Sequence, residues 1–181
     1  MILFLHVASV LVLAAGLALE WAGIEALRRS SGRGEAESWL RVLGAVPRVS
    51  GLAMLVILVS GFYLGGRFGV LGNAWLVATY CALVVMAVMG GPLARPAMAA
   101  LHRAAAGGND ATLAALRSAA SSARLRASLN TRIVFGLAVV YLMVGKPDAA
   151  GATVVLLLAA ALAAAWSLRR ESPPALVERY Q

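Results

Sequence analysis

Glu20 is a carboxylate set within the apolar run 2–27, and an ionised carboxylate is costly in hydrocarbon, so it must be neutralised there. Proton uptake, a bound cation or the guanidinium of another segment would each do so. It lies seven residues before Leu27, about 10 Å at helical rise. His6, Ser9, Gly16 and Glu20 follow one another at steps of 3, 7 and 4, which places them on one stripe of a helix. A polar stripe on an apolar helix is expected to face the protein interior. The chemistry expected of it is the binding or passage of a proton or small cation, with His6, Ser9 and Glu20 as the pathway. The competing expectation is a structural pair between Glu20 and an arginine at similar depth, Arg132 or Arg95. Glu25, closer to the run's end, reads as a solvated or arginine-paired residue.

His6 offers a second chemistry, because a neutral imidazole can hydrogen-bond a neighbouring helix or ligate a metal or haem. The other histidine, His102, falls on the opposite membrane face, roughly 30 Å away, so one haem or ion cannot take both. Met143 is the soft ligand at matching depth. A b-type haem or copper centre would therefore use His6 and Met143. A single cysteine, Cys81, excludes an intrachain disulfide and a cysteine-based zinc site. No nucleophile elbow, paired-histidine zinc helix, carboxylate dyad or phosphate loop occurs, so catalysis by this chain alone is not expected.

The elements that must position these residues are membrane helices. The chain is 61% hydrophobic with a mean hydropathy of +0.84, against about 45–50% for soluble domains. Five runs approach the roughly 20 residues needed to cross a hydrocarbon core: 2–27, 49–66, 74–91, 130–144 and 149–168. Pro47 suits the first turn of the second, and Gly90-Gly91-Pro92 should kink or end the third. The fourth is short, so it is expected to borrow residues from the segment before it or to sit with little tilt. Of 16 Lys and Arg, all but Arg67 and Lys146 fall on one side of this partition, with Arg169, Arg170 and Arg179 following the last run. The positive-inside rule then predicts an all-α, polytopic bundle of five transmembrane helices, N-terminus outside and C-terminus cytoplasmic, forming one membrane domain over 1–181. The location expected is a bacterial cytoplasmic (inner) membrane. The first run has no basic residue before Arg28 and is long for a signal peptide, so it reads as a retained helix.

Two cytoplasmic segments, 35–43 and 112–129, carry apolar residues on one face and arginines on others. They are expected to lie against anionic lipid heads as amphipathic helices. The basic residues are accounted for by topology, and no aromatic stacking platform accompanies them, which excludes a nucleic-acid partner. Lys146 and Pro147, followed by Asp148 as a cap, read as a compact outer turn between the fourth and fifth helices. Gly61-Phe62-Tyr63-Leu64-Gly65 and the alanines of 159–165 favour close helix packing, within the chain or in a homo-oligomer. A structural or assembly subunit that serves a membrane partner protein is the remaining class of function.

Leu5-His6, Leu19-Glu20-Trp21, Gly90-Gly91-Pro92 and the stretch from Tyr141 to Pro147 together resemble a broad bacterial family of small, uncharacterised integral membrane proteins. That family is distantly similar to copper-resistance D-like membrane proteins, which also begin with a histidine in the first helix. The resemblance implies the same multi-pass architecture and draws attention to His6, Glu20, Lys146 and Pro147. This chain departs from the copper proteins in lacking a second histidine in the outer half and a Met-rich outer loop.

Overall fold

The computed structural model describes residues 1–105 and 110–168, and no strand occurs among them. Helix α1 spans Ile2–Arg29, α2 spans Arg33–Arg67 and α3 spans Ala74–Val88. A π-helical turn, Met89–Leu93, leads from α3 into α4, Arg95–Ala105. Then come α5, Asp110–Ala120, α6, Ala123–Gly145, and α7, Ala149–Leu168. Five continuous helices are long and apolar enough to cross a membrane: α1, α2, Ala74–Ala105 taken through the π turn, α6 and α7. The protein is therefore a multi-pass helical bundle. Arg169, Arg170 and Arg179 lie outside the described residues.

Its surface supports the same conclusion. Phe4, Leu11, Leu52, Val59, Phe62, Leu137, Leu157 and Leu162 are all more than half exposed. In water such a belt would aggregate; in lipid it costs nothing, because acyl chains are as apolar as leucine. What holds the helices together is close approach. Gly16 and Gly23 on α1 face Ser50 and Leu43 on α2, and Gly61 on α2 faces the His6 ring. A Cβ on Gly23 would lie 3.0 Å from Leu43, and one on Gly61 would lie 3.2 Å from His6 Cε1, so these glycines set the spacing of the α1–α2 hairpin. Gly65 serves a different neighbour, the Leu71 and Leu76 side chains beyond the helix end.

Two boundaries differ from the sequence expectation. The second helix begins at Arg33, not near Val49, and continues past Pro47. Segment 35–43 is thus the first part of a 35-residue helix and not a separate interfacial one. Its apolar side explains this: Ala36, Leu40 and Leu43 are buried against α1, and that packing outweighs the backbone hydrogen bond lost at Pro47. Segment 112–129 is divided at Ser121 and Ser122. Its second part forms the first turns of α6, which supplies the length the fourth run lacked. Its first part, α5, turns Leu116 and Ala120 into the protein, both at most 2% exposed. Arg117 donates from Nε and Nη2 to the Ser30 carbonyl at the end of α1, the Nε bond being 3.1 Å. A guanidinium there satisfies a carbonyl that the helix leaves unpaired and complements its negative end.

At the other end of the bundle, Lys146 and Pro147 make the turn from α6 to α7. Lys146 adopts a left-handed conformation, φ 45°, and its N–H bonds the Leu142 carbonyl. Its ammonium stands 5.8 Å from the Trp75 ring centre on α3. Asp148 accepts from the Gly151 N–H at 2.8 Å and so caps α7.

Candidate functional site

Glu20 meets Arg132. Arg132 Nη1 donates to Glu20 Oε2 at 2.8 Å, and Nη2 donates to Oε1, a bidentate pair between α1 and α6. The two side chains are 7% and 10% exposed. The neighbouring helix makes room for them. A Cβ on Gly90 would lie 3.0 Å from Arg132 Cδ and 3.2 Å from Nη1, so the guanidinium passes over a bare stretch of the π turn. One turn earlier on α6, Ser128 donates to the Met89 carbonyl at 2.6 Å, and its own carbonyl accepts from Arg132 Nε at 3.4 Å. Gly90 and Pro92 interrupt α3 where a regular helix would crowd the arginine, and Ser128 bonds a carbonyl of that interrupted turn. The site is a junction of three helices about one charge pair.

Of the two arginines at similar depth, the structure brings only Arg132 to Glu20. Arg95 begins α4 beyond the π turn and is exposed. Glu25 binds Arg28 at 3.0 Å and Arg29 through its Nε, within one helix.

His6 and Ser9 do not join this centre. His6 Nδ1 hydrogen-bonds Ser60 Oγ on α2 at 2.9 Å, and Ser60 also bonds the Val56 carbonyl. Ser9 turns its hydroxyl back to the Leu5 carbonyl at 2.8 Å. The stripe is therefore real as a face but divided in its partners: His6 toward α2, Glu20 toward α6. His6 Nδ1 is held by Ser60 on α2, Met143 is half-buried near the end of α6, and among the described residues no three His, Cys, Asp or Glu side chains gather as a metal cluster would require.

Two clefts open beside the pair, and neither is lined by His6, Ser9 or Glu20. The first, about 440 Å³, lies between α1, α3 and α6 and is closed at one end by Trp166 of α7. Leu13, Leu17, Met86, Gly136 and Val140 represent its walls, which are apolar throughout. The second, about 400 Å³, is lined by Glu25, Arg28, Arg29, Arg126 and Asn130 among others. Trp21 and Trp166 line both. Sequence reasoning overlooked this arrangement. A signal exists for it: Trp21 precedes the Arg28-Arg29 pair in the first span, and tryptophan beside arginine marks a membrane interface. It also passed over Ser60, Ser128 and Asn130, polar side chains within spans, where hydrogen bonds between helices are formed.

Compared with protein-family models, curated proteins and solved structures, the chain matches none, so its function has to be read from this geometry.

Proposed function

We propose that the protein is a non-enzymatic binding protein of the bacterial cytoplasmic membrane, which holds a molecule with an apolar body drawn sideways from the bilayer. The observation that supports it is the 440 Å³ apolar cleft walled by α1, α3 and α6. Concave, mostly apolar cavities of about 300–1,000 Å³ are the size that ligands occupy. The Glu20–Arg132 pair supports the reading indirectly, because it ties together two of the helices that form the walls.

Filling the cleft tests this. Gly136 lines it, and a Cβ there would make ordinary contacts, 3.6 Å to Met86 and 3.7 Å to Leu17, so the helix tolerates a side chain that enters the space. Native mass spectrometry of the gently solubilised protein should show an adduct that Gly136→Leu loses while circular dichroism stays unchanged. A wild-type protein without any adduct, or an equal adduct in both, would overturn the proposal.

The proposed orientation, N-terminus outside, follows from the side on which the arginines collect. Cysteines introduced at Gly69 should react with an impermeant thiol reagent on intact cells, and those at Gly32 should not; the reverse labelling would invert the protein.

A second reading, passage of a proton or cation along α1, draws on the hydroxyls of Ser50 and Tyr80. Both are buried without a hydrogen-bond partner among the described residues; Ser50 faces Gly16, and Tyr80 stands near Gly61 and His6.

A further inference from the structure

We infer that the occupant of the cleft is an anionic phospholipid, with an acyl chain in the apolar cleft and its phosphate in the basic cleft beside Arg28, Arg29 and Arg126. The inference rests on the reading of the apolar cleft as a binding site and adds what distinguishes one lipid from another.

Dimensions support it first. The apolar cleft follows α1 from Val10 to Trp21, about 16 Å at helical rise, which is close to one leaflet's share of a hydrocarbon core about 30 Å thick. The basic cleft continues along α1 from Trp21 to Arg29. Trp21 and Trp166, which line both, stand where the acyl region gives way to headgroups, the depth at which tryptophan is enriched. An apolar slot one leaflet long with a polar chamber at its end has the shape of a lipid.

Charge supports it second. Three guanidinium groups line the basic cleft against one carboxylate. Glu25 binds both Arg28 and Arg29, so it neutralises one of them and holds the two side by side. Arg29 reaches it through Nε, leaving both of its Nη groups for an anion. Guanidinium forks are suited to phosphate oxygens, and a net positive chamber disfavours a zwitterionic headgroup carrying its own ammonium.

Asn130 supplies an independent observation. It is a polar side chain on a residue only 5% exposed, and it lines the basic cleft. An amide both donates and accepts hydrogen bonds, and the glycerol esters and phosphate of a phospholipid offer it acceptors. Free phosphate would meet the charge but leave the apolar slot without an occupant.

The experiment uses the full chain, stripped of lipid in detergent and titrated with phosphatidylglycerol, with phosphatidylcholine of the same acyl chains, and with inorganic phosphate, read by native mass spectrometry and by Trp fluorescence. Phosphatidylglycerol should bind at least about tenfold more tightly than phosphatidylcholine, because more than one basic residue engages the anionic headgroup. Arg28→Gln with Arg126→Gln should reduce that preference to near unity while leaving phosphatidylcholine binding as it was. Asn130→Leu should weaken both lipids, and inorganic phosphate at millimolar concentration should not displace phosphatidylglycerol. Equal binding of the two lipids by the wild type, or displacement by inorganic phosphate, would overturn the headgroup inference while leaving the cleft as a binding site. Failure of both lipids to bind would remove the cleft reading itself.

Discussion

Helix α1 turns two ionisable side chains, Glu20 and His6, toward other helices, and the protein treats them differently. Glu20 is met by two charge-assisted bonds from α6, over a stretch of α3 broken and bared by glycine; His6 is met by one serine hydroxyl on α2. The difference follows from what each group becomes when left alone. A neutral imidazole in a half-buried position needs only a hydrogen bond, whereas a buried carboxylate needs an opposite charge or a proton. The break in backbone regularity lies at the charge: the π turn and Gly90 meet Arg132, while α2 stays helical past Ser60.

Removing one partner should therefore have its largest effect at the charge pair. Arg132→Met leaves Glu20 buried and unmatched and should lower the stability of the detergent-solubilised protein by about 3–5 kcal/mol, measured by thermal or denaturant unfolding. Glu20→Leu combined with Arg132→Met should recover most of that loss, because a lipid-like pair needs no compensation. Glu20→Gln decides between the pair and a proton or cation pathway. A structural pair predicts a destabilised protein, since Arg132 loses its counter-charge, while a pathway predicts normal folding with pH-dependent uptake into vesicles abolished. Wild-type stability in Arg132→Met would erase the contrast between the two halves of α1.

At the other site the expected effect is small. Ser60→Ala removes the bond to His6 Nδ1 and should cost about 0.6 kcal/mol, the average for a hydrogen bond between membrane helices. A loss comparable to that of Arg132→Met would mean that His6 is charged in the bundle, and the distinction drawn here would fail.

The sequence was informative where a property depends on length or depth, and silent where it depends on rotation. Apolar runs revealed five spans because hydrocarbon thickness sets a minimum length. Depth along a helix reduced the partners of Glu20 to Arg132 and Arg95, but the choice between them depended on azimuth: on which way α6 is turned, and on the π turn that precedes Arg95. The same limit hid Ser60 from His6, since nothing in two separate runs states how they are rotated about one another. Pro47 misplaced the start of α2 for a different reason. As a local signal it suits a first turn, yet Leu40 and Leu43 upstream are buried against α1, a tertiary contact that local propensity does not register. The clefts were illegible because a void is a property of neighbours, although the tryptophans and arginines around it are visible in the chain.

The bidentate form of the Glu20–Arg132 bond also fixes something that packing in lipid leaves loose. Two apolar helices in a bilayer can slide along one another with little change in energy, since leucine against leucine is much like leucine against lipid. A carboxylate gripped through both oxygens does not permit this: a slip of one turn, 5.4 Å, breaks both bonds and strands two charges in hydrocarbon. Arg132 thus acts as an indexing notch, setting the vertical register of α6 against α1 and, through it, the height at which Trp21 and Trp166 stand opposite each other.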